Sequence, residues 1–319
     1  MKINGPIRQI MLGMLFASVW SLYSCTNLHE NLPECRLYVK FKYDYNMLFA
    51  DAFHTQVDKV ELYVFDKAGK FLFKQSEEGT SLATGNYLME VEVPVGEYKF
   101  MAWAGARDSY DIITLVPGTS TITDLRLQLK REETLISKHK LEPLWYGEII
   151  DVNFTGTVHQ TETVNLIKDT NTIRFLFQSY ADEAWSLNMD EYDYEIIESN
   201  GYLAYDNSLL DDDILSFQPY SKSQLSSSMI AVELNTMRLM SDRETCFVVT
   251  EKSTGRKVFN INLTNYLILT GIEGKSLPAQ EYLDREDEYK ISFFFSDAWL
   301  AVQIVINDWI CYLQPEEIE

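Results

Sequence analysis

The chain has 319 residues and a formal net charge of −21 at pH 7, and a chain of this length is expected to form two domains. With 46% hydrophobic and 13% aromatic residues it is too apolar to be disordered. The chain has 48 acidic residues and only 27 basic ones. Its negative surface would repel phosphate groups, so the composition argues against nucleic acid as a partner.

The first residues have the composition of a targeting signal. Two basic residues precede an uncharged apolar run at 10–20, which is shorter than the about 20 residues that a membrane-spanning helix needs. Leu22 and Ser24 stand three positions and one position before Cys25. This pattern resembles the lipobox of bacterial lipoproteins. The resemblance implies that 1–24 is a signal peptide and that Cys25 becomes the lipidated first residue of the mature chain.

The alternative is an ordinary secretory signal, with Cys25 as a free thiol or a disulfide partner. No second long apolar run follows, so the lipid would be the only membrane attachment. Residues 25–34 are expected to form a polar tether, of which 26–34 reach about 30 Å at most when fully extended. If Cys25 is acylated, an odd number of cysteines remains, so they cannot all pair. Cys246 and Cys311 lie in apolar, strand-like contexts and are expected to be buried.

From Arg36 onward, apolar and polar residues alternate with a period of two, which predicts half-buried antiparallel strands. Short strands with no helical periodicity between them are typical of an all-β sandwich. The first series of predicted strands covers 37–45, 60–64, 71–73, 89–93, 98–102 and 125–129.

A second series of strands follows a segment without alternation, so we expect two β-sandwiches in tandem. The N-terminal domain is predicted to cover 35–154 and the C-terminal domain 155–319. Between the strands, 206–213 is expected to be a solvated acidic loop and 271–280 another loop. The second series covers 164–167, 173–177, 192–196, 230–234, 247–249, 258–263, 291–295 and 302–306.

No sequence motif points to catalysis. The chain contains no glycine-rich phosphate loop, no GxSxG elbow and no HExxH helix, and its four histidines are scattered. The acidic run Asp211–Asp213 lacks the ligand spacing of a calcium loop. Trp103, Trp145 and Trp309 are expected to pack in the core or at strand edges. We therefore predict a protein that is not an enzyme and that has no cofactor, metal or small-molecule substrate.

Several stretches along the mature chain carry one further resemblance. They are Cys35–Phe53, Leu62–Asp66, Pro94–Gly105, Asp169–Phe175, Tyr282–Arg285 and Ile306–Trp309. Together they are similar to the fimbrial anchor and assembly lipoproteins of Bacteroidales-type fimbriae, the fimbrillin-associated anchor family. The Cys35–Phe53 stretch is the most specific of them.

This resemblance implies two tandem transthyretin-like β-sandwich domains. It also implies a subunit that is attached to the outer membrane through lipid, palmitate included, and that lies at the base of a fimbria. There the subunit would receive the first fimbrillin stalk subunit by strand exchange and limit the length of the fibre. The family offers no catalytic residue, and Cys25 is the one functional residue that carries over.

Three other functions remain open from the sequence. A surface glycan-binding lipoprotein would use exposed aromatic residues on a sandwich, and a tip or accessory subunit would serve the same fimbria at another position. A hydrolase is the remaining class, and no nucleophile or metal constellation supports it.

Overall fold

The computed structural model describes residues 34–131, 135–179, 187–275, 277–297, 299–307 and 309–311, and only the backbone of 270–275, 296–297, 300–302 and 309–311. Most elements in these ranges are strands, which confirms the predicted all-β class. The first ten strands are β1 (Arg36–Lys42), β2 (Lys59–Asp66), β3 (Phe71–Glu78), β4 (Met89–Val91), β5 (Gly96–Ala104), β6 (Tyr110–Ile112), β7 (Arg126–Leu129), β8 (Ile136–Ser137), β9 (Trp145–Phe154) and β10 (His159–Lys168).

The remaining strands and the helices belong mainly to the second half of the chain. The strands are β11 (Asn171–Ser179), β12 (Tyr192–Glu198), β13 (Tyr202–Ala204), β14 (Leu215–Phe217), β15 (Ser221–Ser226), β16 (Met229–Thr236), β17 (Cys246–Glu251), β18 (Lys257–Asn262), β19 (Glu288–Asp297), β20 (Leu300–Ile306) and β21 (Trp309–Cys311). The α-helices of the described residues are α1 (Phe53–Gln56), α2 (Leu263–Lys275) and α3 (Ala279–Arg285), and 3-10 helices cover Leu82–Thr84, Ile122–Asp124 and Met189–Glu191.

The first unit is built on a seven-stranded sheet with the order β3-β2-β5-β9-β10-β1-β4. Strand β10 pairs in parallel with β1 and then, through its last three residues, antiparallel with β9. Alternation places Val39, Phe41, Leu62, Val64 and Phe100 in one buried hydrophobic cluster. This cluster forms the first core.

The central strands β2 and β5 are buried on both faces. Tyr63, Phe65 and Trp103 point away from the first core and join a second cluster that also contains Leu127 of β7. A three-stranded sheet with the order β13-β7-β6 contributes to this cluster. Strands that are covered on both sides read as nearly continuous apolar runs, as 62–65 and 100–104 do.

The second unit is a sandwich of a six-stranded sheet, β15-β16-β11-β19-β20-β21, and a five-stranded sheet, β18-β17-β12-β14-β8. Phenylalanines from the two sheets stack between them. The rings of Phe175 and Phe247 lie 3.8 Å apart at 13°, and those of Phe177 and Phe247 lie 6.2 Å apart at 21°. These rings, together with the buried Trp103 and Trp145, confirm that much of the aromatic content serves strand packing. Only the backbone of Trp309 is described.

The two units share one strand arrangement. Strand β1 lies between antiparallel β4 and parallel β10, and β11 lies between antiparallel β16 and parallel β19. In each unit, therefore, the first strand pairs in parallel with a strand near the end of that unit. This repetition fits two related sandwiches in tandem.

The predicted division at residues 154 and 155 does not coincide with a gap between the sheets. Strand β10 follows the division but belongs to the first sheet, whereas β8 precedes it and pairs with β14 of the second unit. Strand β13, which also follows the division, pairs with β7, which precedes it. Only Asp169 and Thr170 separate β10 from β11. Alternation identifies strands but does not identify their partners.

Two loop predictions need correction. Helix α2 occupies 263–275 and α3 begins at Ala279, so the loop expected at 271–280 is wrong at 271–275 and at 279–280. Gly271 and Gly274 weaken the helical signal, and the helix is held by burial of Leu263 and Leu267. The acidic segment 206–213 is a loop as predicted, but it is not wholly solvated.

Asp212 is the buried member of that acidic loop. Its side chain is 2% exposed and forms an ion pair with Arg131, which follows β7. Asp213, which is 64% exposed, bonds to the same guanidinium at 2.8 Å. The loop therefore ties the second unit to the three-stranded sheet.

Candidate functional site

Cys25, the predicted lipidation site, lies outside the described residues, as does 25–33 of the tether. Cys35 and Cys246 are free thiols, and only the backbone of Cys311 is described. Cys246 is half-buried rather than fully buried, and burial raises the pKa of its thiol.

The described chain starts at one end of the first sheet, which we call the tether end (34–36 and 155–158). The Cys35 thiol donates a hydrogen bond to the Gly156 carbonyl at 2.7 Å. The backbone N–H of Arg36 donates to the Val158 carbonyl at 3.2 Å. These bonds fix the point at which the tether meets the sheet, next to the loop between β9 and β10.

The loop after β1 is held in shape by two polar side chains. The Asp51 carboxylate accepts hydrogen bonds from the backbone N–H groups of Tyr43 and Phe53, at 3.0 and 3.1 Å. The Asn46 amide donates to the carbonyls of Tyr43 and Ala50, at 2.9 and 2.8 Å. This loop is therefore a preformed surface on the first unit.

Arg285, the last residue of α3, binds to this loop from the second unit. Its guanidinium lies 4.0 Å from the ring centroid of Tyr45 and 4.5 Å from that of Phe49. One of its terminal nitrogens also donates to the Asp44 carbonyl at 3.3 Å, and its Nε donates to Glu281 at 2.8 Å. We use the name joint for three neighbouring contacts. They are this one at Arg285, the buried polar cluster around Arg238, and the contact of Lys168 with Asp287.

A buried polar cluster forms the centre of the joint. Arg238 donates two parallel hydrogen bonds to Asp284, at 2.9 and 2.8 Å, and a third to the Asn207 carbonyl. The Asn207 amide donates to Asp169 at 2.9 Å. Burial of the Asp169 carboxyl raises its pKa to about 7, because it outweighs the favourable charge of Arg238 and the bond from Asn207.

A third contact lies at the end of β10, the strand of the first sheet that comes last in the chain. Lys168, at the end of β10, forms an ion pair with Asp287 and lies 5.5 Å from the ring centroid of Trp145. Burial also raises the pKa of the neighbouring Glu286 carboxyl to about 7. Two carboxyl groups that titrate near neutrality therefore lie at the joint.

The joint brings together stretches that are far apart in sequence. Asp169–Asn171, Tyr282–Arg285 and the loop at 43–53 all belong to the stretches that carry the family resemblance, and all three meet here. Sequence reasoning did not identify Asn207 and Arg238 as their partners. An arginine followed by apolar residues gives no signal that it will be buried against a distant aspartate.

Free sheet edges are the other surfaces on which a partner strand could pair. Strands β3, β15 and β18 each end a sheet. The side chains at 222–226 of β15 are all exposed, and a bulge interrupts its pairing with β16 between Gln224 and Ser226. Unpaired backbone groups at such edges are templates for strand addition, and bulges limit it.

The described residues contain no group of three or more His, Cys, Asp or Glu side chains that could hold a metal ion. No helix in the described part of the chain is long and apolar enough to cross a membrane.

The chain is similar to known fimbrial proteins over nearly its whole length. A family model described as Mfa2, fimbrillin-A associated anchor proteins Mfa1 and Mfa2, matches residues 32–315. The minor fimbrium anchoring subunit Mfa2 of Porphyromonas gingivalis is 23% identical over 330 residues, which cover 98% of each chain.

Solved structures extend the similarity to the fold. A candidate polysaccharide-binding protein of Bacteroides thetaiotaomicron is 66% identical with a TM-score of 0.86, over 89% of this chain and 100% of that one. A candidate adhesin of Bacteroides ovatus is 31% identical with a TM-score of 0.78, over 91% and 99%. The fimbrial anchor protein Mfa2 of P. gingivalis has the same fold, with a TM-score of 0.68 at 21% identity over 88% and 99%. Because the family model covers most of the chain, the protein belongs to the Mfa2 family of fimbrillin-A associated anchor proteins.

Proposed function

We propose that this protein is a lipid-anchored subunit of the bacterial outer membrane that holds a fimbria to the cell surface and limits its length. Membership of the anchor family over residues 32–315 is the observation that carries the proposal. The protein acts without catalysis, through contact with a fimbrillin stalk subunit. Its localisation depends on processing after Ser24 and on acylation of Cys25.

The tether end supports this attachment. With the lipid on Cys25, the predicted tether at 25–34 would join it to a point fixed by the bonds of Cys35 and Arg36. Fully extended, it would hold the first sheet within about 30 Å of the membrane. Several acyl chains together give stable anchoring, whereas one chain gives only reversible binding.

Contact with fimbrillin is proposed to occur by strand exchange at a sheet edge. The free edges of β3, β15 and β18 support this mode, since each offers unpaired backbone groups. A proline placed in the middle of one edge strand would remove a backbone donor and block pairing there. Comparing proline variants at Ser76, Ser223 and Asn260 would show whether fimbrillin uses one of these three edges.

The anchoring proposal is tested by replacing Cys25 with alanine in cells that carry the complete fimbrial system. We expect fimbriae to be shed into the medium and their length distribution to change, as measured by electron microscopy and by the fimbrillin released. Cys246→Ala is the control, because it removes a free thiol that lies outside the tether end and leaves the lipidation site intact. Fimbriae of normal length that stay on Cys25→Ala cells would refute the proposal.

Two alternatives give different results. Deletion of a tip or accessory subunit would leave fibres attached to the cell, whereas deletion of the anchor releases them. A glycan-binding function is favoured by the description of the B. thetaiotaomicron relative as a candidate polysaccharide-binding protein. The described side chains of Trp103, Trp145 and Trp299 are buried, so they offer no exposed platform for a sugar.

A further inference from the structure

Two uncharged connections lie side by side at the tether end, where the described chain begins. The first joins β4 to β5 (93–95, Val-Pro-Val), and the second joins β9 to β10 (155–158, Thr-Gly-Thr-Val). The start of β5 pairs with the end of β9, and the Val158 carbonyl accepts a hydrogen bond from the backbone N–H of Arg36. Both connections therefore lie next to the point at which the tether meets the sheet.

Apolar side chains are exposed on both connections. Val95 is 65% exposed and Val158 is 43% exposed, and Pro94 is exposed beside Val95. A Cβ at residue 156 would lie 2.8 Å from a methyl carbon of Val95, so the two connections pack against each other and present one surface. We call this surface the uncharged tip (93–95 and 155–158). None of its residues is charged, although the protein carries a net charge of −21.

Hydrogen bonds hold the uncharged tip in shape. The Tyr98 hydroxyl donates to the Pro94 carbonyl at 2.7 Å. The Gln160 side chain donates to the Asn153 carbonyl at 2.9 Å and accepts from the backbone N–H of Thr155 at 3.4 Å. Because these bonds already order the backbone, little conformational entropy would be lost when the tip meets a partner.

Charged residues around the uncharged tip set how deeply it can enter a bilayer. Glu92 is exposed just before the first connection, and a carboxylate is costly to move into hydrocarbon. The ion pairs beside the tip would likewise stay at the level of the headgroups. The tip can therefore reach the boundary between headgroups and acyl chains, but the sheet behind it cannot go deeper. These ion pairs join Arg36 to Glu34 and Glu90, and Lys67 to Glu97.

We propose that the uncharged tip is the surface through which this protein contacts the lipid bilayer, with Val95 and Val158 at the boundary of the acyl chains. This contact rests on the proposed function, because Cys25 must carry the lipid that holds the chain at the bilayer. The tether spans about 30 Å at most and meets the sheet beside the tip, so this end of the protein is the one held at the membrane. Attachment through lipid makes the contact intramolecular, and a small apolar patch then suffices to keep it closed.

Fluorescence quenching tests the contact in the lipidated full chain on phosphatidylcholine vesicles whose acyl chains are brominated near the headgroup. Val95→Trp places a tryptophan on the tip. Leu48→Trp is the matched control, because Leu48 is 82% exposed and follows the other end of β1. We expect bromine to quench the fluorescence added by Val95→Trp several-fold more than that added by Leu48→Trp.

A second substitution shows whether the contact is apolar. Val158→Asp, introduced into the Val95→Trp chain, should remove the additional quenching, because a carboxylate does not enter the acyl boundary. Leu48→Asp in the same chain should leave it unchanged. Added salt should also leave it unchanged, since no charge pair is involved. Circular dichroism checks that these variants fold.

The native thiol of Cys35 provides a measurement without an added aromatic ring. It is exposed, and a Cβ at residue 156 would lie 3.9 Å from its sulfur, so it borders the uncharged tip. We expect a charged maleimide to alkylate Cys35 several-fold more slowly in the lipidated chain on vesicles than in the Cys25→Ala chain in solution. The alkylation rate of Cys246, measured by mass spectrometry in the same samples, should not change.

Flotation with the vesicles separates the tip contact from anchoring itself. A chain that carries no lipid and does not float would refute anchoring and the tip contact together. A chain that floats, but in which Val95→Trp is quenched no more than Leu48→Trp or Cys35 reacts at an unchanged rate, would overturn the tip contact alone. Protection of Cys35 in the Cys25→Ala chain by a second copy or by added fimbrillin, with no protection on vesicles, would assign the tip to a protein partner and also overturn it.

Discussion

The guanidinium of Arg285 lies 4.0 Å from the ring centroid of Tyr45, although the two residues belong to different sandwiches. Phe49 contacts the same guanidinium at 4.5 Å, so two aromatic rings of one loop bind one cation. The loop is itself held by Asp51 and Asn46. Two preformed surfaces therefore meet at this part of the joint.

Arg285→Ala should lower the free energy of unfolding by about 1–3 kcal/mol, since it removes two cation–π contacts and their hydrogen bonds. Arg285→Lys should lose part of this, because an ammonium keeps the charge but not the planar stacking. Urea denaturation measures both. Arg256→Ala, whose side chain is 73% exposed, is the control and should change stability by less than about 0.5 kcal/mol. An equally small change for Arg285→Ala would show that the contact does not stabilise the joint.

Asp169 should make stability depend on pH near neutrality. Its pKa is raised from 3.8 to about 7 in the folded protein, so between these values the folded state holds a proton that the unfolded state has lost. The resulting contribution to the free energy of unfolding is fully present below about pH 4 and is lost as the pH rises to about 7. Glu286 acts with the same sign.

Asp169→Asn cannot ionise and should remove this dependence. The stability of the wild type relative to the variant should fall by about 1–3 kcal/mol between pH 5 and pH 8. Urea denaturation across this range measures the difference. Asp151→Asn, at a residue whose side chain is 81% exposed, should show no such trend. A constant difference between Asp169→Asn and wild type would contradict the prediction.

Gly105 should tolerate alanine much less well than Gly255. Both have a positive φ, +71° and +70°, so both substitutions carry the same backbone strain. A Cβ at residue 105 would lie 2.0 Å from the Pro143 carbonyl oxygen, whereas a Cβ at residue 255 would meet nothing within 4 Å. We expect Gly255→Ala to cost about 1 kcal/mol and Gly105→Ala to cost at least about 3 kcal/mol, measured by thermal unfolding. Equal losses of stability for the two variants would contradict the prediction, because they would mean that the backbone at Pro143 shifts easily to make room for the new Cβ.

Asp212→Ala should destabilise the protein more than Asp213→Ala, although both residues bond to Arg131. The Asp212 side chain is 2% exposed, and its loss leaves a largely buried guanidinium without its main partner. We expect a cost of about 3 kcal/mol for Asp212→Ala and less than about 1 kcal/mol for the exposed Asp213. A double-mutant cycle with Arg131→Ala separates the pair from other effects. Similar costs for both aspartates would contradict this assignment.

The sequence predicts the strands well because alternation records burial on one face. It predicts Leu62 and Val64 as inward-facing, and both are fully buried. It does not predict that Tyr63 and Phe65 are also buried, because a second sheet covers the other face. The sequence also does not predict which strands pair. Strand β10 would show the same alternation whichever sheet it joined.

The joint is harder to predict than the strands. Asp169 and Arg285 are part of family-like stretches, but the sequence does not indicate that they lie at one contact. Asp212 reads as one acid among many, and only the fold places it against Arg131. Tertiary burial, rather than local pattern, decides which charges in an acidic chain are structural.

The parallel pairing of β1 with β10 has a mechanical consequence. Under the proposed function, a fibre under flow would pull β10 away from the cell through Asp169 and Thr170, while the lipid-bound tether would pull β1 toward the cell from Arg36. Both strands run in the same direction, with seven residue pairs from Arg36 and His159 to Lys42 and Asn165. The two forces therefore act along the strands in opposite directions and load the hydrogen bonds together in shear. Such a ladder resists tension better than one that is opened pair by pair from its end.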